Sequence, residues 1–169
     1  MDHTEDGKRT PLSYAASQGN LAMAKLLLGH DADQDSKDRK GKTPLSYATT
    51  NGDTAMVELL LDNDADPDLR DEHGKTPLSY SVAKRDTAMV KLPLDNDADP
   101  NLDDERGRTP LSYAASPGYA AVVKLLLGRG ANVDVKDNGG ITPLSLAKRT
   151  GYGTVVKLLR EWARGRFER

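Results

Sequence analysis

The side chains best suited by type and spacing to do chemistry are carboxylates. Asp62, Asp64 and Asp66 alternate through one segment, and Asp95, Asp97 and Asp99 through another. That spacing matches the first half of a calcium loop, in which alternate residues supply oxygens. The second half fails, because Pro67 or Pro100 stands where the sharp turn needs Gly, and His73 or Arg106 where a bidentate Glu should close the sphere. The carboxylates are therefore read as turn residues with at most a loose attraction for divalent ions. Asp64 and Asp97 are expected in the left-handed conformation that Asp tolerates better than most residues. Ser145 and Lys148 fit S-x-x-K, the opening of a serine-acylase signature. Ser13, Ser46, Ser79 and Ser112 hold the same place without that Lys, which marks the serine as a fold residue. The three histidines, His3, His30 and His73, fall at unrelated positions, so neither a triad nor a metal cluster is supported. The absence of cysteine removes thiolate nucleophiles, disulfides and Cys-based zinc sites. With no phosphate-binding glycine loop either, the expectation is a protein that is not an enzyme, with no catalytic, cofactor or metal residue.

Two rows of side chains remain. Tyr14, Tyr47, Tyr80 and Tyr113 recur at one position, where they either stack a flat ligand or pack between neighbouring units, the second being favoured. Arg9, Lys42, Lys75 and Arg108 each precede a Thr, until Ile141 breaks the row. Lys40, His73 and Arg106 sit beside the preceding Gly, and Lys84 and Arg85 close a first helix. These nine cations are the candidate partner-binding residues, read either as a basic strip facing an acidic segment or as a solvated rim.

What positions them is a repeat. Thr-Pro-Leu-Ser-Tyr starts at Thr10, Thr43, Thr76 and Thr109, and Thr-Pro-Leu-Ser-Leu at Thr142, each 33 residues after the last. A fixed period of this size means one supersecondary unit stacked in a row. Within the second unit Gly41 supplies a turn, Thr43 an N-cap and Pro44 the first helical position, where its missing N–H costs nothing. Gly52 then ends a short helix, Asp53 caps a second one, and Met56, Val57, Leu59, Leu60 and Leu61 give that helix a broad apolar face. The five units are placed at approximately 5–37, 38–70, 71–103, 104–136 and 137–169, as one domain over 1–169.

The phrase D-x-x-G-x-T-P-L, followed by Gly, a V-x-x-L-L run and an Ala-Asp loop, resembles the ankyrin repeat. It stands in Asp71-Glu-His-Gly74-Lys-Thr76-Pro-Leu78 and again from Asp104 and Asp137. The familiar family phrase has His after Thr-Pro-Leu, whereas every unit here has Ser; this style is similar to arrays of filamentous fungi. The resemblance implies an all-α solenoid of five helix-turn-helix units joined by short β-hairpin turns. It also implies a concave side, built from hairpin tips and first helices, that binds protein or peptide partners without chemistry. The other readings are a small-molecule binder or accessory enzyme using the tyrosines and groove carboxylates, and a fragment of a larger fungal multidomain protein.

Departures from the repeat carry the remaining information. Gly7 stands one place early, which predicts an imperfect first hairpin. Arg160 replaces a Leu of the final helix, and Arg164, Arg166 and Arg169 follow, read as a solvated cap in preference to an anion site. Pro93 replaces a helical Leu and Arg85 a helix-ending Gly, so the third unit is expected to open first. The formal charge of −2 speaks against a nucleic-acid binder. No signal segment or membrane span is readable, and a monomer in the cytoplasm or nucleus is the expectation.

Overall fold

The computed structural model describes residues 9–165. Each Thr-Pro-Leu-Ser phrase opens a helix: α1 (Pro11–Gln18), α3 (Pro44–Asn51), α5 (Pro77–Val82), α7 (Pro110–Ala115) and α9 (Pro143–Thr150). The threonine hydroxyl accepts the backbone N–H of the serine three residues on, at 3.2–3.4 Å throughout. The two hydroxyls also bond each other, at 3.0–3.4 Å. Thr and Ser therefore act as a pair at the start of every first helix. Second helices follow as α2 (Leu21–Leu28), α4 (Thr54–Leu61), α6 (Thr87–Asp95), α8 (Ala120–Gly128) and α10 (Gly153–Ala163). Asn20, Asp53 and Asp86 cap the first three of these.

The connections between helices of a unit explain the glycines. Gly19, Gly52, Gly118 and Gly151 take φ of 67–79°. The next N–H in each case reaches back to the carbonyl of Ala15, Ala48, Ala114 or Ala147 at 2.9–3.1 Å. That bond satisfies a carbonyl the helix end would leave open. Asp31, Asp64 and Asp97 take φ of 58–63° after the second helices, the left-handed role foreseen for two of them.

Stacking is between nearest neighbours: α1 lies on α3, α3 on α5, α5 on α7 and α7 on α9, with α2, α4, α6, α8 and α10 forming a second row. Ala15, Ala48, Ala114 and Ala147 are buried in the first row, small enough to let helices approach closely. Leu45, Leu60, Leu78, Leu111, Leu126 and Leu159 fill the space between rows. Residues facing a preceding unit show what stacking contributes. Met56, Met89, Val122 and Val155 are at most 1% exposed, whereas Met23, at the same repeat position of the first unit, is 45% exposed. At the other end Lys157 and Arg160 point outward and Trp162 packs on the last core layer, the polar cap expected there. Gly7, Arg166 and Arg169, which carried readings from sequence, lie outside the described residues.

The third unit departs from its neighbours as its sequence foretold. Arg85 is held at φ 60°. Its turn closes through bonds three residues back (Ala83 to Tyr80, Lys84 to Ser81, Arg85 to Val82), and α5 stops after six residues. α7 is equally short for a different reason: Pro117 has no N–H to extend it. α6 runs straight through Pro93. The buried apolar side chains form two groups that meet inside this helix, Met89 belonging to the first and Val90 and Leu94 to the second.

Candidate partner-binding surface

At the head of the second, third, fourth and fifth units the chain forms a turn. Asp38, Asp71, Asp104 and Asp137 each use Oδ1 to accept two backbone N–H groups, two and four residues on, at 2.8–3.0 Å. A backbone bond from each Asp N–H to the carbonyl four residues later, 3.0 Å, closes the turn. Among the described residues no strand forms, so the expected hairpins are turns of one backbone pair. Units are tied tip to tip by N–H donation from Glu72 to Lys40, Glu105 to His73 and Asn138 to Arg106, at 2.8–3.0 Å. Gly74 shows why this position is glycine: its φ is 75°, and a Cβ there would lie 2.9 Å from the Glu105 nitrogen.

The second oxygen of the tip carboxylate holds the tyrosine row. Tyr47 donates to Asp38 Oδ2 at 2.5 Å, Tyr113 to Asp104 Oδ2 at 2.5 Å, and Tyr80 to Asp71 Oδ2. Burial, and then the bond to the carboxylate, pushes the Tyr113 phenol up to about 12 and raises Tyr80 and Tyr47 as well. Burial would raise Asp104, but hydrogen bonds from Tyr113 and from the backbone and side chain of Arg108 outweigh it and hold the carboxyl below its usual range.

The inner cations thread between these rings. The Arg9 guanidinium lies 4.7 Å from the Tyr47 centroid, Lys42 5.5 Å from Tyr47 and 4.6 Å from Tyr80, and Lys75 5.5 Å from Tyr80 and 5.6 Å from Tyr113. Arg108 ends the ladder 4.7 Å from Tyr113 and 3.0 Å from Asp104. Three of the tyrosines and the basic row are thus one structure, with Lys42 and Lys75 each shared between two units, while Tyr14 stands exposed. Reading the two rows separately missed this, although Asp and Tyr recur nine residues apart in three consecutive units.

The other candidate residues are arranged differently. Lys40, His73 and Arg106 stand exposed at the tips. His73 lies between Glu72 (3.8 Å) and Glu105 (3.7 Å), acidic neighbours that the basic-strip reading did not weigh. Lys84 lies against Gly52, and Arg85 covers the Tyr119 ring at 4.9 Å. Clefts open along this side, two of them of similar volume. One, of about 430 Å³, lies among Arg9, Lys42, Tyr47 and Tyr80, with Lys40 and His73 and the carboxylates Asp38, Asp71 and Glu72 also on its lining. The other, of about 420 Å³, lies between Arg108 and Arg149 over Leu146. Both are open to solvent on one side.

Of the carboxylates considered for calcium, Asp66 and Asp99 serve the loops, and Asp95 pairs with Arg129 at 2.6 Å. Asp66 Oδ1 accepts the Asp68 N–H at 2.8 Å, and Asp35 and Asp68 accept the N–H of Asp66 and Asp99 in the following unit at 2.9 and 3.0 Å. Ser145 Oγ, the acylase lookalike, is bonded to Thr142. Among the described residues no helix is long and apolar enough to cross a membrane.

A family model for ankyrin repeats, spanning three copies, matches residues 1–71, 51–137 and 78–165. The chain belongs to the ankyrin-repeat family, an all-α repeat solenoid whose members are generally protein-interaction modules and typically lack enzymatic activity. A comparison with curated proteins finds no match.

Proposed function

We propose that the chain binds an acidic segment of a partner protein along its turn tips and first helices, the five units working as one module. The observation that carries this reading is the alternating ladder Arg9–Tyr47–Lys42–Tyr80–Lys75–Tyr113–Arg108. Cations held against rings have already lost much of their rotamer freedom, so an arriving carboxylate avoids part of an ordering cost of about 0.5–1.5 kcal/mol per long side chain. Lys40, His73, Arg106, Lys84 and Arg85 add exposed donors beside it. The small-molecule reading is less well supported, because Tyr47, Tyr80 and Tyr113 already direct their hydroxyls to Asp38, Asp71 and Asp104.

The test is selection from a random peptide display library, followed by fluorescence anisotropy on the enriched sequences. Acidic sequences are expected, with affinity falling steeply as salt rises. The triple variant K40E/H73E/R106E, which leaves the tyrosine–aspartate pairs intact, should weaken them at least about tenfold, the loss of about 1.4 kcal/mol. Enrichment without an acidic bias, or unchanged affinity in the triple variant, refutes the assignment.

A further inference from the structure

The ladder stops one rung short. In the second, third and fourth units the tip aspartate uses Oδ1 for its own turn and Oδ2 for a tyrosine hydroxyl. In the fifth unit Asp137 builds the same turn, with Oδ1 accepting the N–H groups of Gly139 and Ile141 at 2.9 Å. Residue 146, however, is Leu where the other units have Tyr, so the hydroxyl that would reach Oδ2 is missing. The cations tell the same story. Arg9, Lys42 and Lys75 each cover the ring of the following unit, at 4.7, 4.6 and 5.6 Å. Arg108, the equivalent cation of the fourth unit, has no such ring ahead of it. It lies over its own Tyr113, donates to that hydroxyl at 2.8 Å and to Asp104 at 3.0 Å, and lines the space toward the fifth unit. The vacated space is the cleft of about 420 Å³, with Leu146 and Ile141 as apolar walls, Tyr113 beside them, Asp137 as acceptor, and Arg108 and Arg149 on its lining.

We infer that this cleft takes the unmodified tyrosine side chain of a partner peptide, flanked by acidic residues. The ring would lie on Leu146 and Ile141 under the Arg108 guanidinium, and the hydroxyl would donate to Asp137 Oδ2, repeating the arrangement of Tyr47, Tyr80 and Tyr113. Arg149, exposed on the lining, supplies the complement to acidic neighbours, whereas Arg108 is already paired with Asp104. A phosphate on the tyrosine would set its charge against Asp137, so the phosphorylated side chain is rejected. The inference rests on the protein-interaction reading and names one anchor for it.

The test is a titration of ¹⁵N-labelled protein with the blocked peptide Glu-Glu-Tyr-Glu-Glu, its Phe counterpart and its phosphotyrosine counterpart, followed by amide chemical shifts. A hydrogen bond to a charged acceptor predicts that the Tyr peptide binds about tenfold or more tighter than the Phe peptide. Shifts should concentrate at Ile141, Leu146 and Arg149. In L146Y the chain's own side chain occupies the cleft, and the preference for Tyr disappears. Equal affinities for the Tyr and Phe peptides in the wild-type protein overturn the inference whether or not L146Y folds. Tight binding of the phosphopeptide, or an undiminished Tyr preference in folded L146Y, does the same. Acidic peptides that bind with no Tyr preference, shifting amides around Tyr47 and Tyr80 instead, overturn the anchor and leave the interaction surface standing; binding of none of the acidic peptides removes both.

Discussion

Replacing Pro93 with Leu should be the largest single stabilisation available to this chain. Pro93 is buried inside α6, and it leaves the Met89 carbonyl without the N–H that a regular helix supplies four residues on. The helix runs on to Asp95 regardless, so the backbone that a leucine needs is already in place. Proline in a helix interior costs about 3 kcal/mol relative to ordinary residues. The equivalent leucines, Leu60 and Leu126, are fully buried, so the new side chain should also join the two apolar groups that now meet within α6. For a protein of this size a gain of about 3 kcal/mol raises Tm by roughly 6–12 °C. Repeat arrays unfold as coupled neighbours, so a weak central unit also lowers cooperativity, and P93L should sharpen the transition. By contrast R85G should be nearly neutral. Relief of the left-handed backbone, about 1 kcal/mol, is offset by losing the guanidinium over Tyr119, about 0.5–1 kcal/mol. The assay is thermal denaturation combined with amide hydrogen exchange. The reasoning is refuted if P93L leaves Tm within a degree or so of wild type, or if wild-type amides in α6 are as protected as those in α4.

Truncation at one repeat position should have position-dependent cost: M56A is expected to lose about 2–5 kcal/mol in chemical denaturation, and M23A less than about 1 kcal/mol, because only the former faces a preceding unit. Y80F should cost about 1–3 kcal/mol by leaving an oxygen of buried Asp71 without its donor. Its wild-type phenol, raised by burial and the Asp71 bond, contributes stability that is complete below the ordinary tyrosine range and is lost as pH rises through the folded-state value. The Y80F deficit should therefore shrink in strongly alkaline denaturation curves. D68N should be stabilising by up to about 0.5 kcal/mol at neutral pH. Burial and the nearby Asp66 and Asp99 charges raise the Asp68 carboxyl, while its bond from the Asp99 N–H survives in Asn, as Asn101 shows with Asn132. A raised carboxyl is a penalty at neutral pH that is relieved as pH falls through the folded-state value, so the advantage of D68N should vanish in acid; an advantage that grew in acid would contradict this origin.

Much of the scaffold was legible residue by residue. Thr43, Pro44, Gly52 and Asp53 each do locally what their types prescribe, and the left-handed positions at Asp64, Asp97 and Arg85 follow from comparing units. The surface was less so. Lys42 read as a cation free to meet a partner, yet it lies between Tyr47 and Tyr80. Glu72 stands beside His73 in the chain itself, whereas Glu105 becomes its neighbour only once two units are stacked.

The chain order alone determined the period, the helix pairs, their caps and the departures of the third unit, because these depend on contacts within a few residues or on the comparison of one unit with another. Tertiary structure decided which identical-looking residues are buried, how three tyrosines, three aspartates and four cations become one ladder, and where that ladder leaves a space over Leu146. Those outcomes depend on contacts across the interface between units about 33 residues apart. A side chain's environment there is set by what the neighbouring unit presents, and the same methionine is core at position 56 and surface at position 23.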